Sequence, residues 1–231
     1  MGRMKLAFVL PVALCMPVLL AAQQPDLRTE KIEWTWADRP DAPDPKLPNV
    51  LLLGDSITRA YYPETQKQLA GVANVYLFAT SACAADSRYP GQLKDYVALA
   101  AVPFAVVHFN NGMHGWRFTE AEYAASLPSV VDQLHTLEPH AKLLWANTTP
   151  VKADTPDGAT NTRIDRRNAE AAATMKQRTI PVDDQHTLML PHADLHADVV
   201  HWTPAGSAIQ AAQVADAVKA LLPKEAAIVH P

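Results

Sequence analysis

From residue 49 onward the chain alternates short apolar runs with longer amphipathic stretches. The runs fall at 50–53, 75–78, 104–109, 142–146 and 179–182, each about the length of a buried strand. Residues 119–137, 161–177 and 204–221 are long enough for helices, and 59–70 can be helical for most of its length. The last helix places Ala205, Ile209, Ala212, Val214, Ala217 and Leu221 along a broad apolar face, with Pro204 suited to its first turn. Strands alternating with helices predict parallel β-α-β units and a three-layer α/β domain over residues 49–222. Residues 223–231 form a short tail.

Two segments precede that domain. Residues 23–48 are rich in proline and aspartate, as in Asp38-Arg39-Pro40-Asp41-Ala42-Pro43-Asp44-Pro45. Proline lacks the backbone donor that a helix or central strand needs, so this stretch predicts an extended lead-in lying over the domain. Trp34 and Trp36 either pin it there or offer a platform for a sugar ring. Residues 1–22 begin with Arg3 and Lys5, continue through an apolar core at 6–20, and end on Ala21-Ala22. That order predicts a cleaved secretory signal peptide, and hence export to the periplasm or the medium. The apolar core is shorter than the ~20 residues a membrane span needs, so no stable insertion is expected after cleavage.

Composition narrows the partners. Hydrophobic residues make up 48% of the 231 and charged residues 19%, the balance of a globular domain. The formal charge is -4 and no basic cluster occurs, which argues against a nucleic-acid partner. Of the two cysteines, Cys15 lies in the leader; Cys83 is expected as a small buried residue, with no intrachain disulfide.

Three segments could carry chemistry. In Gly54-Asp55-Ser56-Ile57-Thr58 a serine stands where a buried strand gives way to a helix, at the sheet edge where α/β folds bind ligands. Ser56 there is either a helix N-cap or a nucleophile that requires a base. Asp198-Val199-Val200-His201 offers a base with a carboxylate close enough to fix its tautomer if the loop folds back; the bland alternative is a capping aspartate and a surface histidine. Asn110-Asn111-Gly112-Met113-His114-Gly115-Trp116 follows the central apolar run. Its asparagines are turn formers or donors to an oxyanion. A rival reading takes Asp184, His186, His192, Asp194, His196, Asp198 and His201 as metal ligands, but Pro191 and the absence of a glutamate after His192 speak against it.

Together these segments resemble the SGNH hydrolases, or GDSL-type esterases, over nearly the whole chain after the leader. The resemblance implies a flavodoxin-like domain with a five-stranded parallel sheet. It implies Ser56 as nucleophile, His201 as base and Asp198 as its partner, with no cofactor and no metal. The Ser56 N–H and Asn111 would line the oxyanion hole, with Ala84 where the family has a glycine. Asn110, His114, Trp116 and Trp202 would contact the substrate, although core packing suits Trp116 and Trp202 equally. Two blocks depart from the family pattern. His114 stands where the spacing calls for asparagine, and the loop Thr80-Ser81-Ala82-Cys83-Ala84-Ala85-Asp86-Ser87 contains no glycine. The expected activity is a serine esterase acting on acylated, most specifically acetylated, carbohydrate. The alternatives are an esterase of lipids or simple esters, and an inactive glycan-binding module on the same fold.

Overall fold

The computed structural model describes residue 1 and residues 28–222. Apart from Met1, the leader lies outside the described residues, as does the 223–231 tail. Among the described residues no helix is long and apolar enough to cross a membrane.

Six strands form one sheet: β1 (Thr35–Asp38), β2 (Asn49–Gly54), β3 (Asn74–Thr80), β4 (Val106–Phe109), β5 (Lys142–Ala146) and β6 (Val182–Asp183). Their order is β1-β3-β2-β4-β5-β6. β2 to β6 are parallel throughout, and β1 runs antiparallel along the outer edge of β3. The expected five parallel strands are therefore present, and the sixth comes from the lead-in. Every residue of β1 is exposed, as befits an edge strand held by backbone pairing.

Among the described residues four α-helices connect the parallel strands, α1 (Ser56–Gln68), α2 (Tyr89–Ala100), α3 (Glu120–Leu137) and α4 (Asn161–Gln177), and α5 (Gln185–Met189) and α6 (Pro204–Leu221) follow β6. Val50, Leu52, Val75 and Leu77 bury one sheet face against α1 and α6. Leu51, Leu53, Val107 and Phe109 bury the other against α2, α3 and α4. Strands covered on both sides explain why the runs read as continuous rather than alternating hydrophobics. α2 has no counterpart in the sequence reading. Pro90 and Gly91 mask its start, yet proline fits a first turn, and Leu93 and Tyr96 point inward. The fifth run ends as a two-residue strand because Thr179 turns the chain at φ 57°.

β2 is flanked by β3 and β4, whose connections leave in opposite directions across the sheet. Its carboxyl end is thus the switch point where such sheets open a crevice. Ser56 follows that end immediately.

Candidate active site

Asp55, not Ser56, caps α1. Its Oδ1 accepts the Ile57 N–H at 2.9 Å. The neighbouring aspartate thus takes the capping role that sequence allowed for the serine, and the Ser56 hydroxyl is free to face elsewhere. It lies 2.8 Å from His201 Nε2, across 145 positions of sequence. The Ser56 N–H has no hydrogen-bond partner among the described residues and sits at the positive end of α1.

His201 is held by a tight local turn. Asp198 Oδ1 accepts the N–H groups of Val200 and His201, both at 2.7 Å, and Oδ2 lies 2.8 Å from His201 Nδ1. A carboxylate only accepts, so Nδ1 carries the proton and Nε2 presents its lone pair to Ser56. Partial burial pushes the Asp198 carboxyl up. The N–H groups of His201 and Val200 and the His201 ring outweigh that push and bring it down to about 2. Asp198 therefore stays ionised throughout the ordinary pH range. Both side chains remain largely open to water, 43% exposed for His201 and 58% for Asp198.

Ser56 and His201 share the wall of a cavity of about 470 Å³ with Trp34, Arg59, His114 and Trp116. Arg59 lies over the Trp36 ring at 4.8 Å and near Trp34 at 5.8 Å, so the lead-in forms part of the rim. Backbone pairing of Ser81 with Trp34, and the Glu33–Arg88 ion pair at 3.1 Å, fasten that segment to the β3–α2 loop.

The expected oxyanion hole needs correction. Asn111 Oδ1 accepts the Ala84 N–H at 2.6 Å, and Asn111 Nδ2 donates to the Ala82 carbonyl at 3.0 Å. The two groups proposed as donors to substrate are bonded to one another, and neither residue is on the cavity wall. Asn110 is likewise engaged, donating to Ala146 O at 2.7 Å and Thr148 Oγ1 at 3.0 Å. Trp202 is 5% exposed, stacks on His196 at 3.8 Å and donates to Thr149, so it packs beneath His201 instead of meeting substrate. His114 and Trp116 do reach the cavity.

The rival metal set is dispersed. Asp184 caps α5, His186 faces Asp165 at 3.2 Å, and His196 packs on Trp202. Among the described residues no group of three such side chains is placed to hold a metal. Cys83 is buried, and burial pushes its thiol up to about 11, which suits packing and not nucleophilic work.

The sequence reading missed two residues that shape this site. Arg167, fully buried, donates to the carbonyls of Gly112, His114 and Gly115 at 3.0, 2.7 and 3.0 Å, and its guanidinium lies 4.0 Å from the Trp116 ring centre. Glu30 binds His114 Nδ1 at 3.0 Å and the Gly115 N–H at 2.9 Å. Arg167 stands among Arg163, Arg166 and other polar residues of α4, and Glu30 lies 84 residues from its partner; neither has a local pattern to reveal it.

Gly115 is the tightest point of this loop. It sits at φ +72°, and a Cβ there would fall 2.2 Å from Cys83 Sγ and 2.5 Å from Cys83 Cβ. Gly115→Ala is expected to cost about 2–4 kcal/mol from strain and overlap together. Urea unfolding measures it, and a loss under about 0.5 kcal/mol, the ordinary surface value, would refute this packing.

No family model matches the chain, and no curated protein sequence matches it. Solved structures do. It is similar to an aryl esterase of M. smegmatis (TM-score 0.63, 16% identity, covering 76% of this chain and 100% of that one). It is similar to a carbohydrate acetylesterase from Sinorhizobium meliloti (0.61, 16%, 76% and 100%) and to a GDSL-like lipase from Bacteroides thetaiotaomicron (0.60, 16%, 75% and 89%). With its parallel strand order and its serine at the end of β2, the chain has the fold of the SGNH, or GDSL-type, hydrolases.

Proposed function

We propose that the protein is an exported serine esterase that removes acyl groups, most specifically acetyl groups, from carbohydrate. The observation that carries the reading is the unbroken series Asp198–His201–Ser56, with both links at 2.8 Å, at the wall of a cavity large enough for a sugar ester. Serine needs such a base to become nucleophilic, and the base needs such a carboxylate to hold its tautomer.

The chemistry follows from the geometry. Ser56 Oγ bonds to the ester carbonyl carbon while its proton passes to His201 Nε2, and the carbonyl electron pair moves onto oxygen. Collapse of that tetrahedral species breaks the carbon–alkoxy bond, and His201 gives its proton to the departing alcohol. Water then repeats the attack on the acyl-enzyme, with His201 again as base and Ser56 as leaving group. Asp198 steadies the imidazolium in both halves. The unpaired Ser56 N–H, at the start of α1, is placed to meet the oxyanion. No step calls for a cofactor.

Trp34 and Trp116 on the cavity wall favour a sugar over a long acyl chain, because an aromatic face accepts the apolar face of a pyranose. The fold's occurrence in a carbohydrate acetylesterase and in an acetyl xylan esterase adds to that preference. Export rests on the N-terminal sequence.

Acetate release from acetylated polysaccharides, run beside short- and long-chain p-nitrophenyl esters, tests the substrate class. The account expects acetylated glycans and p-nitrophenyl acetate to be turned over, with little activity beyond short acyl chains. Preference for long chains would assign the site to lipid esters instead. Glycan binding with no turnover of any ester would leave only the binding-module reading.

A further inference from the structure

Ser56 and Arg59 stand three residues apart at the start of α1. That spacing sets two side chains on one helix face, with Cβ atoms about 5–6 Å apart. Both line the cavity that holds His201, and among the described residues Arg59 is the only lysine or arginine on its wall. Its guanidinium lies over the Trp36 ring at 4.8 Å and the Trp34 ring at 5.8 Å. Those two rings are placed by backbone. Trp36 pairs with Ala79 in the β1–β3 ladder, and the Trp34 N–H donates to Ser81 Oγ at 2.9 Å. A guanidinium resting on aromatic faces is steadied without occupying its N–H donors, which lie in the plane of the group.

Those donors meet no acceptor from the described residues. Arg88, Arg163 and Arg178 each pair with a carboxylate, and Arg167 serves backbone carbonyls. Arg39, Arg117 and Arg166 also lack a carboxylate, but none of them lines the cavity. Two carboxylates share the wall with Arg59, and neither takes it. Glu30 faces His114 Nδ1 at 3.0 Å and accepts the Gly115 N–H at 2.9 Å, and Asp157 forms no ion pair with Arg59. The cavity thus holds an exposed, braced cation beside the nucleophile, with its charge left for a group that enters from outside.

We propose that Arg59 is a specificity-determining residue that binds a carboxylate on the sugar, so that the preferred substrates are acylated glycans of uronic acids. This rests on the esterase reading and names its substrate class. The guanidinium fork gives a carboxylate two parallel, charge-assisted N–H bonds. Because Arg59 follows Ser56 by one helical turn, the carboxylate it receives belongs to the ring that bears the ester or to the ring beside it. Asp157 on the same wall opposes denser negative charge, so a single ring carboxylate suits the site better than a sulfated chain.

Matched glycosides, each acetylated at the same ring hydroxyl and tried at every ring hydroxyl in turn, separate the charge from the sugar. They are methyl galacturonoside, its neutral uronamide, and methyl galactoside sulfated at the primary hydroxyl. Wild type should favour the uronate over the uronamide about 10-fold in kcat/KM, chiefly through KM. Arg59→Gln should bring that ratio to about one. Arg59→Lys keeps the charge but not the fork and should retain part of the preference. Added salt should shrink the preference in wild type, since Arg59 is open to water. A merely structural Arg59 would lower both rates and leave their ratio alone. A wild-type ratio at or below one, or an undiminished ratio in folded Arg59→Gln, would overturn the proposal; the first of these needs no variant. Faster turnover of the sulfated glycoside than of the uronate would overturn the carboxylate assignment. Turnover of p-nitrophenyl acetate without any acid preference sinks this inference alone, whereas no turnover of any ester sinks the esterase reading on which it rests.

Discussion

Ser56→Ala is expected to abolish ester hydrolysis while leaving the fold intact. The substitution removes one part-buried oxygen, bonded among the described residues to His201, and Asp55 continues to cap α1. Stability should therefore change by less than about 0.5 kcal/mol, the range of a neutral surface substitution. The effect on kcat should be about 10⁴–10⁶-fold. In a serine hydrolase, loss of the nucleophile removes the whole covalent route and leaves only the help that oxyanion donors and binding give to direct attack by water. His201→Ala should cost nearly as much, because the two act as a unit. Asp198→Asn should cost less, about 10²–10⁴-fold, since Asp198 is more than half exposed and water can solvate the imidazolium when the carboxylate is gone. Steady-state rates on p-nitrophenyl acetate, with circular dichroism as the control for folding, measure all three. Retention of a tenth of wild-type kcat by folded Ser56→Ala would exclude the acyl-enzyme route.

Arg167→Met should produce a large loss of stability. The guanidinium is 0% exposed and donates to three backbone carbonyls of the β4–α3 loop, of which Gly115 O also accepts from the Phe118 N–H at 3.0 Å. Methionine fills similar volume but takes the Arg167 donor away from the Gly112 and His114 carbonyls. Each such group costs about 1–3 kcal/mol, and part of that cost is recovered because the buried charge disappears as well. A net loss of about 2–4 kcal/mol follows, against a total stability of only about 5–15 kcal/mol for a domain of this kind. Arg167→Lys keeps the charge but not the fork, so it should recover a minority of the loss. Urea unfolding gives these values directly. A loss below about 1 kcal/mol for Arg167→Met would mean that the loop is not held in this way.

Much of the architecture could be read from the chain because the central strands are buried on both faces. Val50 to Leu53 and Val75 to Phe78 have no polar face to interrupt the run, and the serine that follows the first of them marks the edge where a crevice opens. β1 was hidden for the opposite reason. Thr35 to Asp38 expose every side chain and join the sheet through backbone alone, so hydrophobic patterning carries no trace of them. The pairing of His201 with Asp198 was legible because it is local, three residues apart in one turn. The oxyanion region was not. Whether Asn111 faces substrate depends on Ala84, and the orientation of the His114 ring depends on Glu30 in the lead-in; both relations exist only once distant loops meet. Reading outward from motif spacing favoured the asparagine. The folded chain engages that asparagine in holding two loops together.

The central claim is that Ser56 is an activated nucleophile. The most direct measurement is covalent labelling of the folded protein by an alkyl fluorophosphonate, with the modified residue located by peptide mass spectrometry. The account predicts one label per chain, placed on Ser56, with labelling slowed by several orders of magnitude in His201→Ala. A folded wild-type protein that takes no label at Ser56, or takes it equally fast without His201, would contradict it.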